Sequence, residues 1–328
     1  MRILVVGGAG YIGTHTIVEL IAAGHEPIVI DNFSNSSPDM LRRVEELTAT
    51  TITSYEGDIA DKVLLDRVFS EHAIDAVIHF AAFKAVGESV SRPLKYYRNN
   101  VANFIGLLEV AATHNVHKVV FSSTAAVYGM ATEPVVTEAT VVAPMSPYGW
   151  SKYMDEVILR DACTANPRLH GTVLRYFNVV GAHVSGKLDE LPKGVPQNLL
   201  PIVVRAIQHD QPLTVYGTDY DTEDGTCERD YIHVVDLAKA HIAALERSSD
   251  EQYRVYNIGT GKPTSVLGLI AAFEKVNGIK VPYVLGERRP GDPVAYYASP
   301  KRANDELGWF AEKTIEDAWR WQQAQQIT

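Results

Sequence analysis

The stretch Ile3-Leu4-Val5-Val6-Gly7-Gly8-Ala9-Gly10-Tyr11-Ile12-Gly13 decides the fold. Four apolar residues, three of them β-branched, suit a buried strand, and the glycines after them permit a tight turn. A helix is expected from Tyr11 to Ala23, ended by Gly24. Gly7, Gly10 and Gly13 make a G-x-x-G-x-x-G variant of the dinucleotide fingerprint. Without Cβ atoms there, backbone can approach a pyrophosphate lying at the helix N-terminus.

A second apolar run, Pro27-Ile28-Val29-Ile30, ends in Asp31-Asn32. An acid about 20 residues beyond the glycines accepts hydrogen bonds from an adenosine ribose and repels a 2′-phosphate, so NAD rather than NADP is expected. Gly57-Asp58-Ile59 reads as a third strand end, beside the adenine.

Strands near 2–7, 27–31, 51–56, 75–80, 117–122 and 171–177 alternate with helical stretches near 11–23, 60–71, 93–114 and 147–165. Such βαβ alternation predicts an α/β fold with a doubly wound parallel sheet, whose strand C-termini form the ligand edge. That edge would gather Gly7, Asp31, Asp58, Phe80-Ala81, Ser122 to Thr124 and Phe177-Asn178. After Gly181 the pattern breaks at a Gly- and Pro-punctuated region. The expected division is 1–180 as the NAD-binding domain and 181–328 as a smaller α/β substrate domain, with a segment near 230–245 returning to the first.

Ser122-Ser123-Thr124 and Pro147-Tyr148-Gly149-Trp150-Ser151-Lys152 read as an acid/base site. In a helix, Tyr148 and Lys152 stand four residues apart on one face. A free phenol has a pKa of about 10, and lowering it by ~3 units takes ~4 kcal/mol, which a nearby ammonium can supply. Thr124 would add a hydroxyl. Tyr297 and Lys301 repeat the spacing, but Pro300 between them opposes a helix there.

The 328 residues imply one large or two modest domains, and 46% hydrophobic content is ample for a core. A net charge of −10 argues against a nucleic-acid surface. No apolar run approaches the ~18 residues of a membrane span, so a cytoplasmic location is expected and no membrane association. Cys163 and Cys227 are the only cysteines, no disulfide is expected, and no Cys/His spacing resembles a metal site.

Taken in order, GGAGYIG (7–13), DNFSNS (31–36), EGDI (56–59), HFAAFKAVGESV (79–90), SSTAAVYG (122–129), SPYGWSK (146–152), LRYFNVVGAH (174–183), EDGTCERDYIHVVDLA (223–238) and RRPGD (288–292) span nearly the whole chain. With these motifs the chain resembles the extended short-chain dehydrogenase/reductase family, specifically its UDP-glucose 4-epimerase branch. The resemblance implies an isomerase of galactose metabolism that keeps NAD bound while C4 of a UDP-hexose is oxidised, turned over and reduced from its other face, so that UDP-galactose and UDP-glucose interconvert.

By the same resemblance Tyr148 is the base, Thr124 bonds the same sugar oxygen and Lys152 binds the nicotinamide ribose. Cofactor contacts are implied for Gly7, Gly10, Tyr11, Ile12, Gly13, Asp31, Asn32, Asn35, Asp58, Ile59, Phe80, Ala81, Lys84, Asn99 and Phe177 as well as for Tyr148 and Lys152. Substrate contacts are implied for Arg229 and Arg289 at the diphosphate, Asp292 at the uridine ribose, Asn198, Leu199 and Tyr216 at the uridine pocket, and Asn178 and Tyr296 at the hexose. A bulky Tyr296 would favour plain hexoses over N-acetylated ones. A homodimer through the helices near 93–114 and 147–165 is implied too. Ala82, Val179 and Gln197 depart from the common pattern without removing a chemical group.

Rival activities are a nucleotide-sugar 4,6-dehydratase, an ordinary NAD(P)-dependent reductase and a non-catalytic NAD-binding regulator. Ala125-Ala126 stand where the dehydratases carry an Asp-Glu pair, and the joint presence of Thr124, Tyr148 and Lys152 argues against the regulator.

Overall fold

The computed structural model describes all residues except 192, 194, 195, 197, 248, 290 and 323–328, so Gln197 lies outside the described residues. The chain forms two compact units, one holding 1–129, 142–175 and 238–256, the other 130–141, 176–237 and 257–328.

The first unit is built on a sheet whose strand order, among the described residues, is Tyr253–Ile258, His170–Tyr176, Lys118–Thr124, Ala76–His79, Arg2–Val6, Glu26–Asp31, Thr53–Glu56. The pairings of Arg2–Val6 with both neighbours are parallel, with Leu4 opposite Ile28 on one side and Val77 on the other. A parallel strand covered by helices on both faces must be apolar throughout, and Ile3, Leu4, Val5 and Val6 are at most 1% exposed. Strand order reverses between Arg2–Val6 and Ala76–His79, which makes their C-terminal ends the switch point where such sheets bind ligands.

Two glycines let the chain close up at that point. Gly7 has φ +79°, and a Cβ there would lie 2.7 Å from the Ala81 nitrogen. A Cβ on Gly13 would lie 2.6 Å from the Gly7 carbonyl oxygen, so the Tyr11–Ala22 helix starts directly against the turn. Phe80 and Ala81 donate backbone N–H groups to Val6 O at 2.8 and 3.1 Å, fixing the second side of the cleft.

The expected single helix over 93–114 is three pieces: Pro93–Tyr96, a π-helical turn at Tyr97–Ala102 and Asn103–Thr113. The wide turn puts Asn100 at the buried face, where Oδ1 accepts from Phe83 N (2.9 Å) and Nδ2 donates to Phe83 O (3.1 Å) and Ser151 Oγ (2.9 Å). Elements beyond the expected series include the helix Pro38–Thr48, capped by Ser37, the short helix Val86–Ser91 and the strand Tyr253–Ile258.

In the second unit Glu228–His233 pairs with Pro263–Ser265, Ala295–Ala298 and Asn178–Val180. Asp230, fully buried, accepts from Thr260 N, Thr260 Oγ1, Gly261 N and Ala298 N, which locks the register that puts Arg229 opposite Tyr296. Val179 sits opposite Ile232 in this sheet. A separate core packs Trp319 edge-on to Phe273, with its indole N–H bonded to Leu269 O. Among the described residues no helix is long and apolar enough to cross a membrane, and no cluster of three His, Cys, Asp or Glu side chains could hold a metal ion.

Candidate active site

Ser146 caps the Pro147–Ala165 helix by accepting from Gly149 N at 3.1 Å, and Pro147 at the first helical position presets the backbone. Residues 148, 152, 155 and 159 then fall on one stripe, while Trp150 and Met154 face outward, 41% and 39% exposed. Lys152 is 3% exposed; its Nζ donates to Ser122 O at 2.8 Å and lies 4.7 Å from the centroid of the Phe121 ring. The Thr124 hydroxyl, at the end of the same strand, stands beside the Tyr148 phenol and accepts from Ala126 N at 3.2 Å. Thr124, Tyr148 and Lys152 are thus brought together as expected.

Their electrostatics differ from the expectation. Burial pushes the Tyr148 phenol above its ordinary value, and the bond to Thr124 offsets only part of that. Burial also draws Lys152 down to about 8, against the pull of Asp155 and Glu156. Desolvation thus opposes the charged form of both groups.

Behind the stripe lies a network that sequence reasoning missed. Arg175 binds the Glu156 carboxylate, with Nε 2.9 Å from Oε1, and donates to Tyr128 Oη at 3.0 Å, while Ser123 Oγ donates to Glu156 Oε1. Glu156 and Arg175 are 1% and 5% exposed. Asn100 is the other omission: through Ser151 it ties the 80–84 loop to the helix that carries Tyr148 and Lys152.

The glycine turn suits a dinucleotide. The Tyr11–Ala22 helix has Gly10 at its N-cap, no side-chain cap and no acidic residue in its first turn, which leaves its N–H groups open to an anion. Tyr11 packs edge-on to His15, and Ile12 lies beside it in the first turn. Asp31 accepts from Ala9 N (3.0 Å), Phe33 N (2.8 Å) and Ser36 Oγ (2.8 Å), so it also shapes the loop that carries Asn32 and the exposed Asn35. Asn32 Nδ2 donates to Asp58 Oδ2 at 2.7 Å, which links two strand ends. Ile59 belongs to the hydrophobic core. Phe80 packs on His241, Lys84 is exposed, and Asn99 donates to Asn100 Oδ1 at 3.0 Å.

In the second unit Arg229 donates to Asp292 Oδ1 at 2.6 Å and to Pro293 O at 2.9 Å. Arg289 stacks 4.1 Å over the half-exposed Tyr216 ring, a cation–π pair set to receive an anionic or aromatic group. Asn198 precedes the helix that begins at Leu199 without a side-chain capping bond, and its Nδ2 donates to Glu190 Oε1 at 2.7 Å. Asn178 Nδ2 donates to Asp230 O at 3.0 Å, and the Phe177 and Tyr296 rings lie 5.4 Å apart.

Known proteins resemble this chain over nearly its whole length. The chain is 51% identical to a UDP-glucose 4-epimerase of Haemophilus influenzae over 98% of its length and 97% of that protein's, and 50% identical to the human UDP-glucose 4-epimerase over 98% and 96%. A crystal structure of UDP-glucose 4-epimerase from Bifidobacterium longum in complex with NAD+ and UDP superposes with a TM-score of 0.94 at 49% identity, covering 100% of this chain and 99% of that one. The UDP-Glc/GlcNAc 4-epimerase of Campylobacter jejuni gives 0.86 at 38%, covering 98% of each. The model of the NAD dependent epimerase/dehydratase family matches residues 3–259, and with full-length relatives at half identity the chain belongs to that family.

Proposed function

We infer that this chain is an isomerase that interconverts UDP-galactose and UDP-glucose through transient oxidation at sugar C4, with NAD as its cofactor. The observation that carries the reaction is the joint placement of Thr124, Tyr148 and Lys152 in one corner of the first unit. When bound, NAD supplies the acceptor and donor of the C4 hydride. Tyr148 Oη takes the O4 proton as C4 is oxidised and returns it to the same oxygen after the keto sugar has turned over. Thr124 Oγ1, beside the phenol, would share that proton's path and orient O4.

Burial draws Lys152 down to about 8, and in its ammonium form its charge favours the phenolate that burial opposes. The cofactor would rest on Gly7, Gly10, Tyr11, Ile12 and Gly13, with Asp31 and Asn32 at its adenosine ribose, Asn35, Asp58 and Ile59 near the adenine, and Phe80, Ala81, Lys84, Asn99, Lys152 and Phe177 along the remainder. UDP is the fixed handle, assigned to Arg229, Arg289, Asp292, Asn198, Leu199 and Tyr216, which leaves the hexose, next to Asn178 and Tyr296, free to rotate. We assign the enzyme to the cytoplasm, which its two buried, unbonded cysteines support.

A homodimer is supported by the apolar surface of the first unit's helices. Val90 and Leu94 are 64% and 79% exposed on short helices packed against Pro147–Ala165, whose own Trp150 and Met154 point outward.

NMR of UDP-galactose incubated with the purified protein and no added cofactor is expected to show the UDP-glucose anomeric signal grow to equilibrium. Tyr148→Phe should reduce kcat about a thousandfold while UDP still binds, Thr124→Ser should stay active and Thr124→Val should be impaired. Full activity in Tyr148→Phe would remove the proposed base.

Arg229→Ala is expected to cost about 1.5–3 kcal/mol of UDP affinity, roughly tenfold to a hundredfold in Kd by isothermal titration. Unchanged affinity there and in Arg289→Ala places the diphosphate elsewhere. Light scattering should give twice the 36.1 kDa chain mass for the wild type and the single mass for the double variant Leu94→Arg/Met154→Glu. A monomeric wild type rules the dimer out.

A further inference from the structure

Asp155 is a buried acid that the reaction above does not use. It follows Lys152 by three residues and Tyr148 by seven on the same helical stripe, and it is 1% exposed. Its Oδ1 has no hydrogen-bond partner among the described residues. A carboxylate removed from water this completely needs an opposite charge to persist.

The surroundings narrow that charge to one side chain. Glu156, on the same helix, is a like charge, and it is already bound by Arg175 from His170–Tyr176 and by Ser123 from Lys118–Thr124. Tyr128, from the turn that follows that strand, binds Arg175 as well. His79, from Ala76–His79, is held neutral, since burial first and Lys152 second drive its pKa down to about 3. In the segment packed against the helix, Glu88 accepts from Lys95 Nζ at 2.7 Å and from Tyr96 Oη at 3.0 Å, so those groups satisfy one another. Lys152 gives its hydrogen bond to the uncharged Ser122 carbonyl. Arg98, on the π turn packed against the helix, is exposed to solvent, so among the described residues the buried Lys152 ammonium, one turn back on the same helix though not in direct contact, is left to compensate Asp155.

We propose that Asp155 is a positioning residue for the reaction: as the counter-charge of Lys152 it keeps that side chain an ammonium at neutral pH, and through it holds Tyr148 within reach of ionisation. This role rests on the C4 oxidation assigned above. Burial raises Asp155 well above the ordinary carboxylate range and lowers Lys152 to about 8, so across neutral pH the two share one proton, as an ion pair or as a neutral acid and amine. Loss of that proton leaves Lys152 neutral and Asp155 charged. Withdrawing the carboxylate removes an attraction for the ammonium, so Lys152 must then release its proton at lower pH.

The test is a 13C NMR titration of protein labelled at lysine Cε, with Lys152→Met identifying the resonance. The wild-type Lys152 midpoint is expected near pH 8. In Asp155→Asn it should fall by about one pH unit or more, and Asp155→Glu should restore it. The alkaline limb of kcat for UDP-galactose should move by the same amount with KM unchanged. Where Asp155→Asn does not fold, Asp155→Val is titrated instead. An unchanged Lys152 midpoint in the folded variant overturns the pairing whatever the activity does. If the wild type fails to convert UDP-galactose, the C4 reaction falls; a lowered midpoint still supports the charge pairing and an unchanged one still overturns it.

Discussion

The buried ion pair between Glu156 and Arg175 holds the catalytic corner together. Both side chains are almost fully removed from water, so each would carry a desolvation cost of several kcal/mol if the other were lost. Their geometry meets that cost with paired guanidinium bonds and with further bonds from Ser123 and to Tyr128. The pair fastens the middle of the Pro147–Ala165 helix to strands Lys118–Thr124 and His170–Tyr176 at once. One turn and two turns towards the N-terminus, this places Lys152 against Ser122 and Tyr148 beside Thr124. It also occupies Glu156, which would otherwise compete for Lys152.

The corner that results is set against the ionisation its chemistry needs. Burial resists a charge on both Tyr148 and Lys152, so a phenolate forms only where positive charge is concentrated beside it. In the second unit Arg229 is paired with Asp292 and Arg289 with Tyr216, so the arginines proposed to hold the diphosphate are set locally, without a positive field over an acidic protein.

What could be read from the sequence was local. The turn at Gly7 to Gly13 combines an apolar run, a φ only glycine adopts readily and a helix start, all within eleven residues. The Tyr148 and Lys152 spacing is equally local. Asn100 and the Glu156–Arg175 pair were out of reach because their partners lie 17 to 51 residues away, and nothing in a lone Asn or Arg marks it as buried. The π turn at Tyr97–Ala102 was hidden for another reason, since one added residue per turn barely alters an apolar pattern. The Pro38–Thr48 helix carried a legible start in Ser37-Pro38-Asp39 that a strand-first reading passed over.

In the proposed reaction hydride leaves C4 and returns to the same carbon, with Tyr148 moving only the O4 proton. UDP-galactose carrying deuterium at C4 can be converted in ordinary water and followed by mass spectrometry and NMR. UDP-glucose that retains its deuterium at C4 through many turnovers is expected. Loss of the label to solvent, or its appearance at another carbon, would contradict it.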